Sequence, residues 1–550
     1  GRYGNQFLGL NLNNNNGRAT TYLNLQYGRR NTYDQLATNR EFGLDSLLSQ
    51  EAFTRYASEN FYIGYGVNLP LGTKWEFSYD GRLSYGKQDN RSSNRSFILL
   101  KGNSQPFFSN LTDVHNNISN VNINQGVNFK MKIDSAGSEW TTDASVSFSP
   151  NKTSQIFSVG DGQIGNRLKV LAVQSNYLKK LPGQVTFETG LKTTVVRFNN
   201  RTDYFRNQNG NRVKDNLRTG AYNFNENIHS AYVQASKNLR GIIVKMGTRL
   251  ENTNMQGNQL LPGDTSFNIN RTDLFPYVYL SRNLMKIAGY DLKAYLVYRR
   301  TLVRPAYEYL NPSIRFIDPF LFETGNPSLR PQFTNNYEAN ISVDERPIFA
   351  VGVNETKDIF TQVVYPSDST ERVSFRTYDN LGTNKETYFR ILGALPPGQK
   401  YFAVAGAQYN HNNYKGAYEG DKPLAFSRGS WSVFSYQTYK ITPLTQLSLH
   451  GFIRFNGQLQ FYELSSFGQM NLSINHQFFN RKLIVTLSGS DLFFTNNNNF
   501  TLNQGSIKAS GYRESDTRRI GLNIRYNFGF RKKEEQNFFN IESPDRGNTQ

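Results

Sequence analysis

Apolar and polar residues alternate along almost the whole of this 550-residue chain. Ile520, Leu522, Ile524, Tyr526 and Phe528 fall on one side of a period-two pattern, with Gly521, Asn523, Arg525 and Asn527 on the other. Successive side chains of an extended strand point to opposite faces, so this pattern predicts a strand with one greasy and one wet face. The same reading holds for Thr21, Leu23, Leu25 and Tyr27 against Tyr22, Asn24 and Gln26. It holds for Trp140, Thr142, Ala144, Val146 and Phe148 against Thr141, Asp143, Ser145 and Ser147. It recurs in Met470, Leu472, Ile474 and Phe478 against Asn471, Ser473, Asn475 and Gln477. The polar sets are hard to bury in a sandwich core but suit a wet lumen. About twenty-one such segments predict an all-β fold, a large antiparallel transmembrane barrel occupying residues 1–529. A polar tail, 530–550, follows.

The connections alternate between short and long. Short turns fall at Leu69–Gly72, Asp134–Gly137, Leu181–Gly183, Asn238–Gly241, Asp344–Pro347, Pro396–Gly398 and Asn480–Lys482, all with turn-favouring residues. Long polar stretches at 31–57, 89–116, 206–222, 257–270 and 303–330 are expected to be external loops. Trp75, Trp140, Phe187, Tyr290 and Phe402 each sit just after a short turn, where a periplasmic aromatic girdle would lie.

Composition removes competing classes. Hydrophobic residues make up 37%, too few for a large soluble core, and aromatics 14%, too many for a disordered chain. A barrel needs only half of each strand to be apolar and gathers aromatics at both membrane surfaces. No apolar run is long enough for a membrane helix, and strands make none necessary. With no cysteine, disulfides and thiolate metal sites are excluded. The net charge of +19 is spread over strands and loops without a dense patch, which argues against nucleic acid and for outer-membrane lipid and lipopolysaccharide as partners.

Parity adds a further expectation. The strand at about 517–529 follows a long loop and runs inward, which puts the C-terminus in the periplasm. Counting back, residues 3–12 become the second strand, the first short turn falls at 13–17, and Gly1 lies outside the cell. Single-chain bacterial barrels close with an even number of strands. The first strand, and whatever precedes it, is therefore expected to lie before Gly1, and a signal peptide to have been removed.

The segment Tyr298–Tyr307 carries Arg304-Pro305. Asn311-Pro312, Asp318-Pro319 and Gly325-Asn326-Pro327-Ser328-Leu329-Arg330-Pro331 follow it. With Tyr378–Gly382, Ser488-Gly489-Ser490-Asp491-Leu492-Phe493 and Arg525–Gly529 in the same order, the chain resembles the Bacteroidota outer-membrane β-barrel family related to TonB-dependent receptors. The resemblance implies a 22-stranded barrel around an N-terminal plug, and import driven by TonB pulling on that plug. Neither a plug nor a TonB box stands in this sequence. From the residues themselves, Gly325–Pro331 reads as loop chemistry: Pro327 and Pro331 restrict the residues before them, Gly325-Asn326 permits a tight turn, and Arg330 is placed to pair with an acid of the wall. The other reading is a ligand-contacting external loop.

Signals for chemistry are weak. Gly160–Gly165 matches G-x-G-x-x-G, but no helix pattern follows, so a flexible loop is expected. The five histidines lack metal-ligand spacing, Asp113 and His115 could pair in a loop, and no G-x-S-x-G occurs. No catalytic, cofactor or metal residue is assigned, and the chain is expected not to be an enzyme. Two functions remain. One is a TonB-dependent-receptor-like importer of a bulky nutrient, with its plug outside this sequence. The other is a non-transporting scaffold subunit in an outer-membrane complex for protein export, barrel assembly or lipoprotein display. A surface lipoprotein is a candidate partner in either case.

Overall fold

The computed structural model describes residues 2–42, 46–100, 102, 105–216, 218–261, 263, 265–287, 289–318, 321–343, 346–366, 374–395, 400–418, 422–459, 462–504 and 507–529. The predicted turns at Asp344-Glu345 and Pro396–Gly398, Pro319, the side chain of Asp318 and the tail 530–550 lie outside the described residues.

The chain begins with β1 (Gln6–Asn15), β2 (Thr20–Phe42), β3 (Ser46–Leu71), β4 (Trp75–Leu100) and β5 (Phe108–Lys132). It continues with β6 (Glu139–Phe157), β7 (Gly160–Leu181), β8 (Val185–Gln208), β9 (Asn211–Lys214) and β10 (Gly220–Leu239). Next come β11 (Ile242–Leu261), β12 (Thr265–Ile287) and β13 (Tyr290–Val303). One helical turn, α1 (Tyr307–Leu310), and the small strands β14 (Arg315–Asp318) and β15 (Leu321–Glu323) interrupt the meander. It resumes with β16 (Gln332–Val343), β17 (Arg346–Pro366), β18 (Ser374–Leu395), β19 (Tyr401–Tyr418), β20 (Lys422–Thr442) and β21 (Thr445–Phe455). The last segments are β22 (Gln458–Leu459), β23 (Tyr462–Leu464), β24 (Phe467–Phe478), β25 (Leu483–Ser490), β26 (Asn498–Gln504), β27 (Ile507–Ser515) and β28 (Arg519–Tyr526).

All 28 segments belong to one sheet. Seven of them (β9, β14, β15, β22, β23, β26 and β27) extend hairpins or lie in the interruption, which leaves twenty-one staves among the described residues. Each stave pairs antiparallel with its neighbour in sequence order, as the alternation requires. The membrane band is plain on β4. Trp75, Phe77, Tyr79, Leu83 and Tyr85 share one face, and at about 3.3 Å per residue and about 40° of tilt they span about 25 Å, the height of a barrel's apolar band. Trp75, Trp140 and Tyr290 are exposed on the outer wall near the short-turn end. Phe402 packs edge-on against Tyr436.

The long polar stretches are largely not loops. β2 pairs with β3 out to Phe42↔Ser46, and β4 with β5 out to Ile98↔Phe108. Residues 206–222 and 257–270 likewise hold the ends of β8–β10 and of the β11–β12 hairpin. Beyond the membrane both faces of a strand meet water, so backbone pairing continues after the apolar periodicity has ended. Gly160–Gly165 is also strand, paired with β6 on one side and β8 on the other. A side chain at Gly162 would meet the ring of Tyr204, whose hydroxyl donates to Gln155 at 2.8 Å. His115 bonds Asp89 on β4 at 3.1 Å and lies in strand β5 rather than in a loop.

The ends meet in two ways. At the long-hairpin end β2 pairs antiparallel with β27 from Asp34↔Ser515 to Arg40↔Ala509. Arg513 bonds Asp34 at 3.0 Å, and Ser515 donates to the same carboxylate at 2.8 Å. Toward the short turns, among the described residues, β1 pairs only with β2, and β28 only with β25. β1 and β28 run in the same direction, and among the described residues neither has a partner on its second edge. Ile520, Leu522 and Ile524 are correspondingly the barest apolar residues of the terminal stave.

Candidate functional site

The interruption between β13 and β16 folds inward rather than outward. At its start Arg304, 4% exposed, has its guanidinium against Glu251 on β11, and its Nε lies 3.8 Å from Glu226 on β10. Tyr307 donates to Glu226 at 3.4 Å. Pro305, also buried, directs the chain from the stave into α1. From there Tyr307 and Leu310 enter a core with Val196, Phe198, Tyr222, Phe224, Met255, Leu329 and Phe360. The ring of Tyr307 stacks on Phe198 at 6.0 Å and leans on Phe224 at 5.5 Å. These wall residues alternate with outward ones along β8 and β10, so the core lies inside the barrel.

Backbone contacts complete the fold of the insertion. Gly325 N–H donates to Asn311 O at 2.8 Å, and Asn326 N–H to Tyr309 O at 2.6 Å. A Cβ at Gly325 would meet the backbone of Asn311 and stand 2.7 Å from Tyr309 O. Its φ is not positive, so this glycine serves close approach and not a left-handed turn. Asn326 donates to Tyr378 O at 3.1 Å, and Tyr378 stacks on Tyr309 at 3.7 Å. Pro312 O accepts from Thr324, and Pro327 precedes Ser328, whose N–H donates to Asn326. Arg330 reaches Asp358 on β17 at 2.8 Å, its amide donates to Asn380, and buried Pro331 then leads into β16. β15 lies parallel to the start of β18, where Glu323 pairs with Arg376 and with Arg315. Burial of Glu323 would raise its pKa, but these two guanidiniums outweigh it and hold the carboxyl below its ordinary value.

Between the insertion and the inner wall of β2–β8 lies a cavity of about 640 Å³. Its lining is mainly uncharged amide and hydroxyl: Asn90, Asn94, Asn116, Asn151, Asn166, Asn200, Thr54, Thr153 and Thr202 from the wall, and Asn311 and Ser313 from the insertion. Ser313 donates to Asn200 at 3.1 Å, tying the insertion to the wall. Tyr56 and Tyr378 offer ring surface. Of the four charged lining groups, Asp34 is held by Arg513, Arg315 and Glu323 hold each other, and Glu308 stands exposed on α1. Among the described residues no group of three or more His, Asp or Glu is placed to hold a metal ion.

A model of the outer membrane protein beta-barrel family matches residues 131–526. The chain belongs to that family. The barrel also superposes on solved receptors at low identity. With the ferric yersiniabactin uptake receptor FyuA from Yersinia pestis the TM-score is 0.56 at 11% identity, covering 92% of this chain and 85% of that one. With the ferripyoverdine receptor of Pseudomonas aeruginosa it is 0.52 at 10% identity, covering 90% and 76%. With the siderophore receptor PiuA from Acinetobacter baumannii it is 0.50 at 8% identity, covering 90% and 86%. No curated protein sequence matches the chain. The fold is thus that of TonB-dependent receptor barrels.

The remaining motif residues do not line the cavity. Asp491, fully buried, ends β25 with φ +47°, and its carboxylate accepts from the amides of Thr495 and Asn496 and from the hydroxyl of Thr517. It shapes the break between β25 and β26, while Phe493 stays exposed. Ile520, Leu522, Ile524, Tyr526 and Phe528 line the outer face of the closing stave and its end. Sequence reasoning missed Glu226, Glu251, Tyr378 and the Asn-rich wall as parts of one site. The available signal was a carboxylate, Glu226, set beside Phe224 on the lumenal side of its strand.

Proposed function

We propose that this barrel is an outer-membrane receptor that imports a bulky ligand, with the long hairpins outside the cell and the short turns in the periplasm. The observation that carries the reading is the amide- and hydroxyl-lined cavity between the folded-in insertion and the barrel wall. Amide and hydroxyl groups paired with ring faces suit an uncharged, hydroxyl-rich ligand, which each lumenal Asn can both donate to and accept from. The structural neighbours named as siderophore receptors support the transport class and not the cargo. Passage needs a plug that TonB displaces, contributed by a segment outside these 550 residues. One further strand, antiparallel to both β1 and β28, fills the space between their bare edges and brings the twenty-one staves to an even number. A surface lipoprotein closing over the long hairpins is compatible with this arrangement.

Native mass spectrometry of the full-length protein against neutral oligosaccharides, neutral peptides and ferric siderophores tests the reading. Retention of a neutral oligosaccharide is expected, with loss in Asn200→Trp, which fills the cavity. Retention unchanged by Asn200→Trp, or of the siderophores alone, would contradict it. Purification as a stable multi-subunit assembly that binds no small ligand would favour the scaffold instead.

A further inference from the structure

The outer wall carries a second, separate site. On β2, β3 and β4 the outward face changes from aromatic to charged within two residues: Arg29 follows Tyr27, Glu59 precedes Phe61, and Lys87 follows Tyr85. These residues are adjacent in the sheet, since Arg29 pairs with Glu59 and Glu59 with Lys87. Two rows higher, beyond Ala57 and Asp89, Arg55 pairs with Arg91. Together with Asp89 they surround a recess of about 330 Å³. It opens outward, because the intervening residues Tyr56, Asn90 and Ser92 line the lumenal cavity instead.

The balance of charge is positive. Four cations, Arg29, Arg55, Lys87 and Arg91, face two carboxylates, Glu59 and Asp89. Asp89 is engaged twice, by Arg91 at 3.0 Å and by His115 at 3.1 Å. Glu59 lies 3.7 Å from Arg29. Lys87 makes no ion pair among the described residues, and Arg55 leans over the ring of Tyr3 at 4.9 Å. Two cations are thus left for an external anion. The basic row continues around this wall: Lys152 is exposed above Phe148 and Lys169 above Leu171. On β11 and β12 the residues just above the band, Asn252 and Thr272, are uncharged and bonded to each other. The corresponding positions of β11 and β12 thus carry no cation.

Height fixes what such a recess meets. Lys87 lies two residues beyond Tyr85, the upper edge of the apolar band, so its Cα stands about 5 Å above the hydrocarbon, at the level of lipid headgroups. We propose that the recess formed by Arg29, Arg55, Lys87 and Arg91 binds the phosphate-bearing headgroup of an outer-leaflet glycolipid, with its acyl chains lying along the aromatic face of Tyr27, Phe61 and Tyr85. Guanidinium groups match phosphate oxygens two at a time, and Lys87 adds a mobile point charge. The apolar wall directly below separates a lipid from a free anion, which would gain nothing from those rings. The site stands on the same orientation of the barrel as the proposed import. It does not depend on the lumenal cavity.

The test uses the full-length protein in detergent, where orientation in a membrane plays no part. Purified lipopolysaccharide, the same material after phosphatase treatment, and inorganic phosphate are each added and followed by native mass spectrometry. Wild type is expected to retain one glycolipid molecule, and to lose it on dephosphorylation of the lipid. Arg55→Gln/Lys87→Gln is expected to weaken retention about thirtyfold, each basic group near an anionic lipid surface contributing roughly fivefold. Lys385→Gln, on the far wall, should change nothing. Equal retention of the dephosphorylated lipid by wild type would overturn the site without reference to any variant. Displacement by millimolar inorganic phosphate would overturn the lipid assignment, and equal retention by the folded double variant would overturn the residues named.

Discussion

Arg304 is the residue on which the insertion turns. It places one guanidinium between two buried carboxylates, Glu226 and Glu251, contributed by different staves. Arg304→Ala takes that cation from both buried carboxylates and leaves Glu251 only Arg249, 3.6 Å away, a loss of roughly 3–5 kcal/mol for a broken buried pair. Arg304→Met with Glu226→Gln and Glu251→Gln removes the charges together and is expected to recover most of that loss, as read by urea unfolding of the detergent-solubilised barrel. A triple variant no more stable than Arg304→Ala would show that the charges are not what holds the site. At Gly325 the expected cost of alanine is about 1–3 kcal/mol, because backbone atoms of Asn311 and Tyr309 would have to move. Limited proteolysis should then cut the insertion while sparing the staves. Glu323 gives a pH dependence. Its folded pKa lies below the unfolded one, so its pairing with Arg376 and Arg315 contributes stability above the ordinary carboxylate value of about 4.3 and loses it as pH falls through the lower folded value. Hydrogen exchange in β15 should rise only on acidification below that range, and Glu323→Gln should remove the dependence.

At the scale of elements, legibility in the sequence follows the membrane. Within the band lipid demands an apolar residue at every second position, and β2, β6 and β28 could be read directly. Above it no solvent contrast remains, so the pairing of Arg40 with Leu48 and of Arg95 with Leu111 leaves no periodic trace. The insertion was legible as irregular from its prolines, but its direction was not. The partners that draw it inward, Glu251 and Glu226, stand 53 or more residues away from Arg304 and on other staves. The bare edges of β1 and β28 are a matter for measurement. If a further strand lies between them, every amide of Arg519–Tyr526 should resist hydrogen exchange in the full-length protein. Rapid exchange at alternate residues of β28 would show that its outer edge stays open.

The whole molecule is a membrane wall with two chemically different surfaces that share the same strands. On β2 and β4 the outward residues change from aromatic to cationic just above the apolar band. Inward residues change from amide to apolar where the insertion docks. Because the period is two, Tyr56 and Asn90 can serve the lumen while their neighbours Arg55 and Arg91 serve the lipid. The lumenal cavity is the part that bears on function, and import driven by an energised plug is the central claim made for it. The most direct measurement is accumulation, in intact cells, of the neutral oligosaccharide that the purified protein retains, with and without a protonophore that collapses the energy supply to TonB. The account predicts that the ligand still binds at the cell surface in both cases but accumulates only in energised cells, and that Asn200→Trp abolishes both. Accumulation undiminished by the protonophore, or absent in energised cells that still bind the ligand, would contradict it.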